Sequence, residues 1–453
     1  MIINKFQIIL LKFLVAIALI YCYSCTVKNH NKNTEIDDYY VKENSEDFNT
    51  SELEITTKKY NQAIFSDLIK SVQIGTKSIS TGEPCYPLNS NDNIKIDFDL
   101  LKGNIESLQY EIIHCDKNWE KSNLMEMEYI EGFTTNFIDN NEISYGPIQQ
   151  YVHYSFEIPN ENLTFLKSGN YIVKVFYENQ VDQPLMTLKT YVSEQSSTIN
   201  FNILESNNME QRKYIQAYDL NCTFNPSNIT DPYSNIFINI QQNHQEFDEH
   251  WINGPNFIRE NRLIFLPNED RFFDGSNEFR FFDMSSFRNG SQKIQKVYYD
   301  DSCYKVKLIK EPKRSYKQYM TYRELDGKFF IRTYDFDIAN SQGEYGYVYF
   351  ELPMRKLNNE DVYIFGQLSN WNIDDRYIME YDSLSKSYKK ELFLKQGYYN
   401  YLYLTKSPNK TSTRTIEGAH YDTNNEYIIK VYYRDPLELY DRLLSYQVFK
   451  INT

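Results

Sequence analysis

The chain has 453 residues, which is long enough for about three domains of roughly 150 residues each. Its 41 Tyr and 29 Phe, set against 15 Gly and 13 Pro, favour β structure, because aromatic side chains suit a pleated, half-buried surface. The net charge of −14 argues against nucleic-acid binding, which requires a basic face. We therefore expect an acidic, all-β protein with no nucleic-acid partner.

The first 25 residues have the pattern of an export signal. Residues 6–21 are apolar apart from Lys12, and the run is too short and too interrupted for a membrane span of about 20 residues. Ser24 precedes Cys25, an order typical of bacterial lipoprotein processing, which would attach a lipid to Cys25. The alternative is ordinary cleavage near Ser24 without a lipid. Both interpretations take the mature chain out of the cytoplasm.

Residues 26–66 are polar and show little apolar periodicity, so we predict a flexible tether. A β-sandwich domain is predicted next, over residues 67–196. Ile94, Ile96 and Phe98 alternate with charged residues, as expected for a strand with one buried face. Short strands separated by turn residues continue at the spacing of a sandwich.

Two more β domains are predicted, over residues 197–312 and 313–453. The second contains apolar runs at residues 236–240 and 262–266. The third has a strand, 397–404, on which Tyr399, Tyr401 and Tyr403 share one face. The predicted fold class is all-β, with tandem immunoglobulin-like β-sandwich domains after the export signal and the tether.

His114 and Cys115 are the first candidates for chemistry. They are neighbours on a predicted strand and therefore point to opposite faces, so they are poorly placed to share a metal or to form a nucleophile–base pair. We predict structural roles, with one side chain in the core and the other at the edge. The run DRFFDG at residues 270–275 resembles a calcium loop, but Phe272 replaces a needed oxygen ligand, so a tight turn is predicted.

Catalytic motifs are absent from the sequence, which has no GxSxG, P-loop, GxGxxG or HExxH pattern. We predict no enzymatic activity, no cofactor and no metal, although a pair of distant carboxylates of the glycosidase type stays open. The four cysteines of the mature domains form no CxxC pair and allow three disulfide pairings; lone buried thiols are at least as good an interpretation. The four cysteines are Cys85, Cys115, Cys222 and Cys303.

Trp371 is the candidate for a binding role. It follows GQLSN, and together with KQGYYNYLYL this segment resembles immunoglobulin-like glycan-binding modules, in which an exposed Trp stacks on a sugar. A glycan-binding periplasmic or surface lipoprotein is therefore the alternative function. The structural interpretation is that Trp371 anchors the turn of its own domain.

A longer resemblance covers most of the mature chain. The segments HCDKNWEKSNLMEMEYIEGF, YVHYSFEIPN, SGNYIVKV and NEFRFFD, followed by VYIFGQLSNW, LKQGYYNYLYL and YDRLLSYQVF, resemble the plug protein family of the bacterial type IX secretion system. The similarity runs in order from about Ser66 to the C-terminus.

The resemblance implies a non-enzymatic periplasmic protein that closes the periplasmic mouth of a giant outer-membrane β-barrel translocon, which would be its partner. It supplies no contact residues, and it does not include Cys25 or the tether. Residues 26–29 lack the acidic cluster that resembles a surface-export tag. We therefore expect a lipid on Cys25 to anchor the protein to the periplasmic leaflet of the outer membrane.

Overall fold

The computed structural model describes residues 61–77, 79, 81–224, 229–266, 271–438 and 440–450. Strands account for 49% of the structure and helices for 7%, so the predicted all-β class is confirmed. The predicted export signal, Cys25 and most of the predicted tether lie outside the described residues. The immunoglobulin-like arrangement stays a prediction.

The first sandwich occupies residues 63–193, where two sheets enclose one core. One sheet has the order β1-β12-β11-β5-β7, with β3 beside β12, and the other has the order β2-β4-β9-β8. Its strands are β1 (Ala63–Ile64), β2 (Ile69–Thr76), β3 (Cys85–Pro87), β4 (Ile94–Leu100), β5 (Leu108–Cys115), β6 (Ile130–Gly132), β7 (Thr135–Phe137), β8 (Asn141–Ile143), β9 (Val152–Ile158), β10 (Leu163–Phe165), β11 (Gly169–Tyr177) and β12 (Pro184–Ser193).

Strand β4 shows why this sandwich forms. The predicted alternation places Ile94, Ile96, Phe98 and Leu100 in the core, all without exposed surface. Part of the segment predicted as a tether, Ala63–Ile64, forms strand β1, in which Ala63 pairs with Thr187 in β12.

The second sandwich combines two distant parts of the chain. One of its sheets has the order β13-β14-β18-β17, with β19 beside β14, and the other has the order β16-β15-β30-β31. Its strands are β13 (Ser197–Leu204), β14 (Ile215–Phe224), β15 (Ile236–Gln242), β16 (His250–Asn253), β17 (Phe257–Arg259), β18 (Arg262–Phe265), β19 (Phe272–Asp274), β30 (Glu426–Arg434) and β31 (Asp441–Lys450).

The third module, residues 280–412, is inserted between β19 and β30. It contains a ten-stranded sheet with the order β20-β28-β25-β26-β27-β24-β22-β21, in which β23 and β29 pair with β28. Its strands are β20 (Arg280–Asp283), β21 (Ile294–Tyr299), β22 (Tyr304–Leu308), β23 (Phe329–Ile331), β24 (Tyr345–Pro353), β25 (Asp361–Phe365), β26 (Ile378–Asp382), β27 (Ser387–Lys395), β28 (Gly397–Ser407) and β29 (Lys410–Ser412).

The insertion means that strand pairing crosses the boundary predicted between residues 312 and 313. Ile236 in β15 pairs with Tyr433 in β30, and Arg280 in β20 pairs with Tyr401 in β28. The second sheet of the second sandwich and the sheet of the third module therefore each contain strands from both sides of that boundary. The tight turn predicted at residues 270–275 is wrong, because Phe272–Asp274 forms a strand that pairs with β14.

Helices are short and serve as connections. They are Glu126–Tyr129, Pro232–Asn235, Ala339–Gln342 and Arg414–Glu417, with 3₁₀ turns at Glu246–Asp248, Gln367–Ser369 and Asp375–Tyr377. None of these elements in the described chain is long and apolar enough to cross a membrane.

Candidate functional site

His114 and Cys115 are both buried, which corrects the prediction that one of them lies at an edge. Strand β5 lies between β11 and β7, so it is not an edge strand. His114 and Cys115 point to opposite faces of the sheet, and both faces are covered. The ring of His114 meets Tyr171 and Tyr440 edge-on, whereas Cys115 packs with Ile113 and Ile172. Their predicted divergence is observed, and they do not form one site.

The surroundings of His114 keep it neutral. Its Nε2 lies 3.2 Å from the carbonyl oxygen of Ser168 and therefore donates, which leaves Nδ1 to accept from the Ser122 hydroxyl at 2.8 Å. Burial lowers the pKa of His114 to about 4. Gly169 has φ +142°, and a Cβ there would fall 2.5 Å from Nε2, so the ring fills its space closely.

The four cysteines of the described residues are all free thiols. Cys115 and Cys222 are buried, and burial raises the pKa of Cys115 to about 12. A thiol held protonated in this way is a poor nucleophile and a poor metal ligand. Cys115 and Cys222 therefore have the surroundings of core residues.

Trp371 lies at the junction of the modules. Trp371 has φ +59° and the preceding Asn370 has φ +53°, so two successive residues of this turn adopt the left-handed conformation. One face of the indole stacks on His244, with ring centroids 4.4 Å apart, and Phe365 meets it edge-on at 5.7 Å. The ring is half-buried. Because His244 already covers one face, less of the ring is available for a sugar; the glycan contact stays a prediction.

A charged cluster that the sequence did not reveal lies beside Trp371. Nε2 of His244 is 3.1 Å from Glu426 and 3.6 Å from Glu83, and these three residues have the donor atoms of a metal site. The ammonium of Lys328 lies 2.7 Å from Glu83 and 3.4 Å from Glu426. A cation is thus already supplied by the protein, and the cluster fits an ion network better than a metal centre.

This network joins the modules. Glu83 belongs to the first sandwich and Lys328 to the third module, while Tyr446 of the C-terminal strand β31 donates its hydroxyl hydrogen to Glu83 at 2.7 Å. Burial opposes ionisation of Glu426, but the hydrogen bond from His244 and the charge of Lys328 outweigh it and lower the pKa of Glu426 to about 2. We name residues 83, 244, 328 and 426 the junction cluster.

A second buried network joins the first sandwich to the third module. Asp99, predicted on the polar face of β4, is fully buried and contacts the Lys395 ammonium at 2.6 Å. Tyr345 donates to Asp99 at 2.7 Å, and Nδ1 of His153 donates to its other oxygen at 2.7 Å. Burial disfavours the charged imidazolium, but the neighbouring carboxylates of Asp97 and Asp99 outweigh it and raise the pKa of His153. The Asp99–His153 pair has the form of a catalytic pair, but Nε2 faces Asp97 at 3.6 Å instead of a nucleophile.

An exposed apolar surface lies on the first sandwich, at its short helix Glu126–Tyr129 and strand β6. Met127 is 77% exposed, Phe133 is 71% exposed, and Met125 and Leu166 are also exposed. These four residues, together with the exposed Glu126, Glu128, Glu131 and Glu161, form what we name the Met127 surface. Large exposed side chains that share one surface mark interaction sites more often than single ones do.

The described residues thus offer structural networks and an interaction surface. Sequence reasoning could not find the junction cluster, because its His and Glu are 182 residues apart and carry no spacing motif. Most of the Met127 surface lies within the run HCDKNWEKSNLMEMEYIEGF, where Met and Glu alternate over residues 125–128, and this alternation is the sequence signal that could have indicated it.

One comparison with known proteins concerns the first sandwich. The family model described as Type 9 secretion system plug protein 1st domain matches residues 69–194. No curated protein matches the chain.

Among solved structures, the chain is similar to a hypothetical protein from Parabacteroides merdae ATCC 43184. The two are 30% identical with a TM-score of 0.83, over 87% of this chain and 100% of the other. Trypsin-activated alpha-2-macroglobulin from Escherichia coli is also matched, at 7% identity and a TM-score of 0.17 over 87% of this chain and 29% of the other; that likeness carries no argument.

Proposed function

Since the chain belongs to the type IX secretion system plug protein family, we propose that it closes the periplasmic opening of the outer-membrane translocon barrel and acts without catalysis. The observation that carries the proposal is the match of the plug domain over residues 69–194. This range covers nearly all of the first sandwich, residues 63–193. The same match supports a role as a component of the type IX secretion system.

The contacts between modules support a sealing role. A plug has to resist deformation, and here the first sandwich is joined to the third module through Asp99 and Lys395. It is also joined to the C-terminal strand, because Arg442 makes a bidentate contact with Glu194 at 2.8 Å from each nitrogen. Bidentate, partly buried pairs fix orientation as well as distance.

Anchoring is a separate part of the proposal. A lipid on Cys25 would hold the protein at the periplasmic leaflet and raise its local concentration near the barrel. Inhibition of lipoprotein signal peptidase with globomycin should block processing of the wild-type precursor. If processing continues, and is unaffected by Cys25→Ala, the lipid is excluded.

Affinity purification from detergent-solubilised outer membranes tests the partner. The tagged wild-type protein is expected to recover a very large β-barrel protein that the untagged strain does not yield. Recovery of the tagged protein without any such barrel, at detergent conditions that keep other barrel complexes intact, would remove the proposal.

A further inference from the structure

We propose that the Met127 surface is the docking face of this protein, and that the partner face is apolar at its centre and lined with Lys and Arg. The inference rests on the proposed function, according to which the partner face lies on the periplasmic side of the translocon barrel. Nothing in the family match assigns a contact face to any residue of this chain.

The apolar residues of this surface lie on backbone segments that are bonded to one another. Strand β6 pairs with β10, with Gly132 opposite Leu163. The amide of Phe133 donates to the carbonyl of Asn162 at 3.0 Å, and the amide of Leu166 donates to Tyr129 at 2.9 Å. Met127, Phe133 and Leu166 therefore belong to one continuous surface and are not three isolated exposed residues.

This surface is ordered from beneath. Tyr129 and Ile130, between the exposed residues, are buried in the core of the first sandwich. The Glu128 carboxylate accepts the Met125 amide at 2.6 Å, and the Glu126 carboxylate accepts the Thr134 hydroxyl at 3.0 Å. Binding would therefore require little ordering of the backbone, which lowers the entropic cost of association.

Charge identifies the partner. Between Ser122 and Leu166 the chain has no Lys or Arg but seven acidic residues, of which Glu126, Glu128, Glu131 and Glu161 are exposed on this surface. Glutamates around an apolar centre are complementary to basic groups around an apolar centre. A second copy of the same face would bring like charges together, so self-association through this surface is disfavoured.

Met is also the residue type suited to such a face. Its thioether chain is unbranched and polarisable, so it adapts to an irregular apolar partner. Phe133 adds a rigid ring of the kind that acts as an anchor in interfaces. Both side chains are mostly exposed, so shortening them should leave the fold intact.

The experiment compares three tagged variants with the wild type in the same membrane purification. The first is Met127→Ser with Phe133→Ser, and the second is Glu131→Lys with Glu161→Lys. The matched control is Leu384→Ser, which removes a still more exposed apolar residue, 94% exposed, from the third module. Thermal melting of each purified variant checks that it is folded.

We expect both surface variants to recover about tenfold less barrel than the wild type, and Leu384→Ser to recover the wild-type amount. Rising salt should weaken recovery by the wild type more than by the charge variant, whose surface has lost its complementarity. Equal recovery by folded surface variants and wild type would overturn the docking face and leave the proposed function standing. If the wild type itself recovers no barrel, both fail.

Discussion

The ammonium of Lys395, in the third module, lies 2.6 Å from the carboxylate of Asp99, in the first sandwich, and neither side chain is more than 1% exposed. Lys395 also donates to the Asn340 carbonyl at 2.6 Å and lies over the ring of Tyr151 at 4.1 Å. Burial opposes ionisation of Asp99, but the charge of Lys395 and the bond from His153 keep its pKa low. The two modules therefore share one charged contact that water does not reach.

Replacement of one partner of this contact should destabilise the protein strongly. Lys395→Met leaves a buried carboxylate without its cation, which costs about 3–5 kcal/mol. Urea unfolding of the purified protein measures this loss. The double variant Asp99→Asn with Lys395→Met removes both charges and should recover part of the stability. A single variant with wild-type unfolding free energy would show that the contact does not hold the modules together.

Acid should destabilise the fold through His114. Its folded pKa of about 4 lies below the ordinary 6.5, so below pH 6.5 the unfolded chain binds a proton that the folded chain refuses. The stabilisation is present above pH 6.5 and is lost as pH falls toward 4. Between pH 7 and pH 5 this one group should cost about 2 kcal/mol of unfolding free energy.

The matched variant for this prediction is His114→Gln, which cannot titrate. Its unfolding free energy, measured in urea at pH 7 and pH 5, should fall by about 2 kcal/mol less than that of the wild type over the same interval. Parallel pH profiles for the two proteins would contradict the assignment.

The junction cluster should not bind zinc while Lys328 is present. The ammonium already lies 2.7 Å from Glu83, where a metal would have to displace it. Added zinc should therefore leave the melting temperature of the wild type unchanged, whereas Lys328→Ala opens the three donors His244, Glu83 and Glu426 and should gain stability with zinc. A zinc-dependent rise in the wild type would contradict the ion-network interpretation.

Trp371 should contribute to stability and not to glycan binding. Its half-buried ring fills the space between His244 and Phe365, so Trp371→Ala should cost about 2 kcal/mol of unfolding free energy, less than for a fully buried ring. In a glucan-retardation gel the wild type should migrate as it does without glucan. Retardation of the wild type that Trp371→Ala abolishes would contradict this expectation and support the glycan-binding alternative.

The sequence predicts the local structure well, because strand periodicity is a property of neighbouring residues. The alternation around Ile96 predicts the inner face of β4, and the divergence of His114 and Cys115 follows from strand geometry alone. The family resemblance, based on long motifs in order, is likewise a sequence property, and the plug-domain match over residues 69–194 confirms the family.

What the sequence cannot predict is which surfaces meet. Asp97 and Asp99 predict that the outer face of β4 is exposed to solvent. In the structure both residues are buried, and Tyr345 of the third module contacts Asp99. The pairing of β15 with β30 joins residues nearly 200 positions apart, with register Ile236 to Tyr433, and no local pattern records it. The junction cluster depends on the same long-range contacts.

The most direct test of sealing is the electrical conductance of the purified translocon barrel in a planar lipid bilayer. When the wild-type protein is added to the side that corresponds to the periplasm, we expect the current through the open barrel to fall to the baseline of the bare membrane. The Leu384→Ser control should act in the same way. An unchanged current, with the protein shown by co-sedimentation to be bound to the barrel, would contradict the account.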